Sequence, residues 1–119
     1  MKKFNNDVVK GYNGKPIVWR IEGKDQELSL ANVIYAIMNS YNLATQKDSV
    51  ECANVSRVLD KVVAGEEPLI ELEDTTHYWL SQVAEKVTPS VFKVNGNVVY
   101  LAIRDGWIKE EKETPKRRS

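Results

Sequence analysis

Apolar positions along the chain follow two periods. Ile17, Trp19 and Ile21 alternate with Val18, Arg20 and Glu22, the period-two pattern of a half-buried strand. Val8-Val9-Lys10 precedes this run, and Asn13-Gly14 between the two supplies the positive φ of a tight turn. Residues 8–21 therefore predict a β-hairpin. Pro16 has no N–H for a ladder, so it is expected to open its strand or lie on an edge. Residues 1–7 are polar and are expected to be loosely held, and 23–27 reads as a polar turn.

Helical spacing begins after Ser29, which suits an N-cap. Leu30, Ile34, Ile37, Met38 and Tyr41 form one stripe, the buried face of a helix of about three turns. Thr45 or Asp48 is expected to cap a second helix with Cys52, Val55, Leu59 and Val62 on one face. Gly65 suits the left-handed stop of that helix, and Pro68 forbids continuation. Residues 69–73 alternate again and predict a third strand, pairing with the hairpin. Asp74, Thr75 or Thr76 is expected to cap a third helix carrying Trp79, Leu80, Val83, Ala84 and Val87. Thr88-Pro89 reads as a fresh helix start, giving a short helix to about Asn95 that ends at Gly96. Residues 97–108 are rich in strand formers, and Asn95-Gly96 is also a hairpin signal. Helix is preferred there because the preceding segment is already read as helical. The prediction is an α+β fold, an N-terminal β-hairpin plus a short third strand packed on a bundle of three to five helices. It places one domain over 1–108 and a charged tail over 109–119.

Composition narrows the classes. The 119 residues are 42% hydrophobic and 29% charged, as in an ordinary globular domain. No apolar run reaches the ~18 residues of a membrane span. Met1-Lys2-Lys3-Phe4-Asn5 lacks the apolar stretch of a secretory signal, and the single Cys52 leaves no internal disulfide. The expected location is cytoplasmic, with no membrane partner. Lys plus Arg and Asp plus Glu are 17 each, a balance that argues against a general nucleic-acid binder. The balance is not uniform. Six bases face two acids in residues 1–24, three face eleven in 25–85, and eight face four in 86–119. Such segregation can steer docking or head-to-tail self-association, or simply be neutralised within one molecule.

Candidate chemistry is sparse. Cys52 and the single histidine, His77, lie 25 residues apart on different predicted helices. A catalytic pair would need them within hydrogen-bond reach, and Cys52 falls on an apolar stripe where a thiol packs as a small hydrophobe. One Cys and one His cannot supply an ordinary zinc site, so His77 is expected to be a solvated first-turn residue. There is no phosphate-cradling glycine loop, calcium loop or serine elbow. The expectation is a non-enzyme with no catalytic residue, no metal and no cofactor. Glu66, Glu67, Glu71 and Glu73, with Asp74, make the acidic peak, a solvated face or a docking patch. Tyr35 lies off the first helix's stripe and Trp107 follows Gly106 near the terminus; both suit interface anchors. Tyr100 near Arg104 could stack a base and hold a phosphate. Lys116-Arg117-Arg118 is too short for more than weak, salt-sensitive phosphate contact.

Four short motifs carry a resemblance. Gly14-Lys15-Pro16-Ile17, Glu27-Leu28-Ser29-Leu30 opening a helix, Ser56-Arg57-Val58-Leu59, and Leu69-Ile70-Glu71-Leu72-Glu73-Asp74 span about residues 14–85. Together they resemble small accessory proteins of tailed bacteriophages. The resemblance implies expression inside an infected bacterium, and either virion assembly or interference with a host function; it supplies no catalytic residues. Three functions follow in order of expectation. The first is a phage-type accessory protein that binds a host or phage protein as inhibitor or adaptor. The second is a structural protein of a phage particle that self-assembles into a homo-oligomer. The third is a small-molecule, nucleotide-binding protein.

Overall fold

The computed structural model describes residues 1–109. The elements run β1 (Lys2–Asn5), β2 (Val18–Ile21), β3 (Lys24–Glu27), α1 (Leu30–Asn39), α2 (Gln46–Val63), β4 (Leu69–Leu72), α3 (Asp74–Phe92) and α4 (Gly96–Asp105), with a 3-10 turn at Lys93–Asn95. The fold is α+β, as the patterning predicts. The strands form two separate two-stranded antiparallel sheets, β1 with β4 and β2 with β3. The tail predicted over 109–119 lies, from residue 110 on, outside the described residues.

The N-terminus departs from expectation. Residues 2–5 are not loosely held: β1 pairs with β4 in the register Lys2↔Leu72 to Asn5↔Leu69. Phe4 is only 2% exposed, and the Met1 amine and Lys2 Nζ lie 3.0 and 3.5 Å from Asp74. The third predicted strand is therefore real, but its partner is this N-terminal segment and not the hairpin. Asn13-Gly14 does turn the chain, with Gly14 at φ 78°, and its two arms pair irregularly, through the Lys10↔Pro16 bridge and the bonds from Gly11 N–H to Lys15 O and from Ile17 N–H to Val9 O. The regular ladder is one turn later, β2 on β3. Residues 24–27, read as a polar turn, form β3 because Glu22 and Gly23 both take positive φ, 53° and 81°, the requirement of a two-residue hairpin turn. Trp19 points inward and stacks on Phe92 at 5.2 Å.

Local capping explains the helix limits. Ser29 Oγ accepts the Asn32 N–H at the start of α1, and Thr45 Oγ1 accepts the Asp48 N–H at the start of α2. Asp48 returns the favour by accepting the Ala44 N–H at 2.9 Å. At the other end of α2, Gly65 at φ 80° lets Glu66 N–H reach Lys61 O and Gly65 N–H reach Val62 O, the paired bonds of a left-handed helix stop. Glu73, not Asp74 or a threonine, precedes α3, and no side chain caps that end. Thr88-Pro89 does not start a helix: α3 runs through both to Phe92. The apolar stripe continues past Pro89 to Phe92, 4% exposed, so core burial outweighs the ~3 kcal/mol local penalty of an interior proline. Gly96 begins α4 rather than ending a helix, and 97–105 is helical as preferred. A Cβ at Gly96 would meet Thr88 O at 2.9 Å and Pro89 Cα at 3.0 Å, so only glycine lets α4 fold back this closely on α3.

The core gathers Phe4, Leu28, Ile34, Ile37, Leu59, Ile70, Leu72, Leu80 and Ile103, all under 3% exposed. Asp48 ties α2 to α3 at its edge, accepting the Trp79 Nε1–H at 3.0 Å. That bond, then the one from Ala44, holds the Asp48 carboxyl below the ordinary aspartate value of 3.8. The Met1 amine and then Lys2 do the same for Asp74. A carboxylate with a lowered folded pKa contributes stability that is complete above its unfolded value and is lost as pH falls through the folded value. Melting temperature is therefore expected to be flat above about pH 5 and to fall steadily below about pH 4. Thermal melts of wild type and Asp48→Asn check this; an equal acid slope in both would remove Asp48 from the account.

Candidate functional site

Two concave features involve the residues singled out in the sequence. The first is a groove of about 340 Å³ between α2 and β4, lined by Asn54, Arg57, Val58, Lys61, Glu71 and Thr76 among others. Adjoining depressions extend it to Leu69 and Glu67, and past Asp60 to Glu66. The i, i+4 spacing of Arg57 and Lys61 places both cations on one face of α2. β4 presents Glu71 on the face opposite buried Ile70 and Leu72, and Glu73 follows at the entry to α3. The structure thus gathers four predicted partner-binding residues, Glu66, Glu67, Glu71 and Glu73, along one face. It also adds Arg57 and Lys61, which the acidic-patch reading missed. Among the described residues none of these six forms a salt bridge; the ion pairs are at Asp74, Arg20–Asp25 and Arg104–Asp105. Arg57 instead donates to Asn54, which with Thr76 donates to the buried Glu51 carboxylate, Thr76 at 2.7 Å.

Tyr35 and Trp107 lie elsewhere. Tyr35 is half-buried and donates its hydroxyl to Asp60, joining α1 to α2. Burial, then that carboxylate, push its phenol up to about 12. Trp107 is half-buried against the core, with Lys2 Nζ 4.5 Å and Lys109 Nζ 4.3 Å from its ring centre. Neither lines the α2–β4 groove.

The second feature is a cleft of about 290 Å³ between α3 and α4, lined by His77, Tyr78, Ser81, Gln82, Glu85, Tyr100 and Arg104. It brings Tyr100 and Arg104 together, one helical turn apart on α4, with the Arg104 Cζ 5.4 Å from the Tyr100 ring centre. Asp105 grips the guanidinium through Nε and Nη2, at 3.1 and 2.7 Å. That pairing raises the Arg104 pKa and lowers that of Asp105. His77 is not the solvated residue expected. It is 8% exposed, its ring is 5.7 Å from Phe4, and its Nε2 lies 2.8 Å from Ile103 O. β1 and α4 close over this first turn of α3, which no local pattern in the sequence signals. A carbonyl only accepts, so Nε2 carries a proton and donates it. Nε2 cannot then take a proton from Ser81, 3.5 Å away. Cys52 is half-buried against the core, with its Sγ 3.8 Å from Met38 Sδ. Among the described residues no three His, Cys, Asp or Glu side chains form a metal-binding group, and no helix is long and apolar enough to cross a membrane.

No family model matches this chain, and no curated protein or solved structure matches it at a significant level.

Proposed function

We propose that this chain is a non-enzymatic accessory protein of phage type that binds a host or phage protein through the face formed by α2 and β4. One observation carries the reading: charges of both signs line a single groove without ion pairing to one another among the described residues. Unneutralised charges patterned along a concavity give a protein partner both steering and register. Val58 and Leu69 supply apolar surface within the same face, as a mixed polar and apolar interface requires. The proton held on His77 Nε2 supports a binding role over a Ser–His nucleophile in the other cleft.

The test is affinity capture from a lysate of the native bacterial host, with wild type beside the double variant Glu71→Lys/Glu73→Lys. Wild type is expected to enrich one protein, and the variant to recover at least about tenfold less of it, as reversed rim charges do. Equal recovery by both would move the interface off this face. Bait alone, at the mass of a defined multimer, would favour the self-assembling structural role instead.

A further inference from the structure

Ser81 presents an unanswered donor. It is 9% exposed and lines the α3–α4 cleft. Its polar neighbour is His77 Nε2 at 3.5 Å, which already carries the proton given to Ile103 O. A protonated nitrogen accepts nothing, so the Ser81 O–H has no acceptor among the described residues. A buried donor without a partner is costly, and native structures rarely keep one. An acceptor supplied from the cleft would satisfy it.

The rest of the cleft indicates which acceptor. α3 and α4 run antiparallel, since Gly96 abuts Thr88 and Pro89 while His77 bonds Ile103. Arg104 therefore faces the His77–Ser81 end and Glu85 the opposite end. Asp105 uses Arg104 Nε and one Nη2 proton, which fixes the guanidinium and leaves the Nη1 donors without a carboxylate partner among the described residues. A fixed guanidinium beside a free hydroxyl suits an oxyanion. Glu85 at the far end repels a second anion and accepts from an amine, while Gln82 donates its side-chain amide to the Tyr78 hydroxyl at 3.1 Å. Tyr78, at the His77–Ser81 end, and Tyr100, one turn before Arg104, supply ring surface within the cleft. We infer that the α3–α4 cleft binds a nucleoside monophosphate with an amino-bearing base, its phosphate on Ser81 and Arg104 and its base amine toward Glu85.

The test uses the full chain and cytidine 5′-monophosphate, with cytidine and inorganic phosphate as controls, read by calorimetric titration. Saturable binding below about 1 mM is expected for the nucleotide, at least tenfold tighter than for either control. Ser81→Ala and Arg104→Gln are each expected to weaken it about tenfold or more, the usual loss for a bond to a charged group. Ser81→Ala is also expected to melt at or above the wild-type temperature, because it removes an unsatisfied hydroxyl; a purely structural serine would lower it. Absence of saturation, or unchanged binding by Ser81→Ala, would overturn the site. Cytidine binding as tightly as the nucleotide would overturn the oxyanion role, and phosphate binding as tightly would overturn the nucleoside.

Discussion

Phe4→Ala is expected to cost about 3–5 kcal/mol of folding stability, although it lies four residues from the N-terminus. Phe4 is 2% exposed, pairs with Ile70 in the β1–β4 ladder, and sets its ring 5.7 Å from that of His77. Its removal leaves a cavity under β1 that neither the His77 ring, held by Ile103 O, nor Ile70 can move to fill. At a domain stability of about 5–15 kcal/mol the loss is a large fraction of the total. It should lower the melting temperature by roughly 10–20 °C. Chemical denaturation of the variant checks it, with Asn5→Ala on the exposed face of the same strand as control. A loss under about 1 kcal/mol would show β1 to be frayed.

Trp79→Ala is expected to be of similar size, about 3–5 kcal/mol. Trp79 is 6% exposed and packs edge-on against Tyr41 at 6.3 Å. It also carries the indole donor to Asp48 that joins α3 to the first turn of α2. Trp79→Phe separates the two contributions. It keeps much of the apolar packing but releases the Asp48 carboxylate, so the Asp48 pKa should rise toward its ordinary value. Less of the stability at neutral pH would then depend on that carboxylate, and the decline on acidification should be shallower than in wild type. An unchanged acid profile in Trp79→Phe would show that Ala44 and Thr45 alone hold Asp48 ionised.

Both side chains illustrate what patterning reveals. Trp79 is legible from its stripe with Leu80, Val83 and Val87, because a helix fixes which residues share a face within a few positions of one another. Phe4 is not, because its partner Ile70 is 66 positions distant and a strand of four residues has too little alternation to stand out. The same limit hides β3, whose Lys24–Glu27 is polar throughout and exposed. It is a strand because Glu22 and Gly23 turn it onto β2, and not because of its own composition.

The candidate sites divide in the same way. Tyr100 and Arg104 are one turn apart in sequence, so their meeting on α4 is readable in advance. Ser81 joins them only because Gly96 lets α4 lie back against α3, and it is a free donor only because Ile103 O commits His77 Nε2. Arg57 and Lys61 lie ten or more positions before Glu71, and no local spacing predicts that the two signs share a groove.

Sequence alone determined the α+β class, most of the buried stripes of α1 to α3, the cap at Ser29, the choice of Thr45 or Asp48 for α2, and the stop at Gly65. Each rests on interactions within one or two turns, where chain geometry leaves few alternatives. Tertiary structure decided that β1 pairs with β4, that α3 runs on through Pro89, and that His77 is buried. Those outcomes depend on burial against distant segments, whose free energy exceeds the local preferences of a polar terminus, an interior proline or a first-turn histidine.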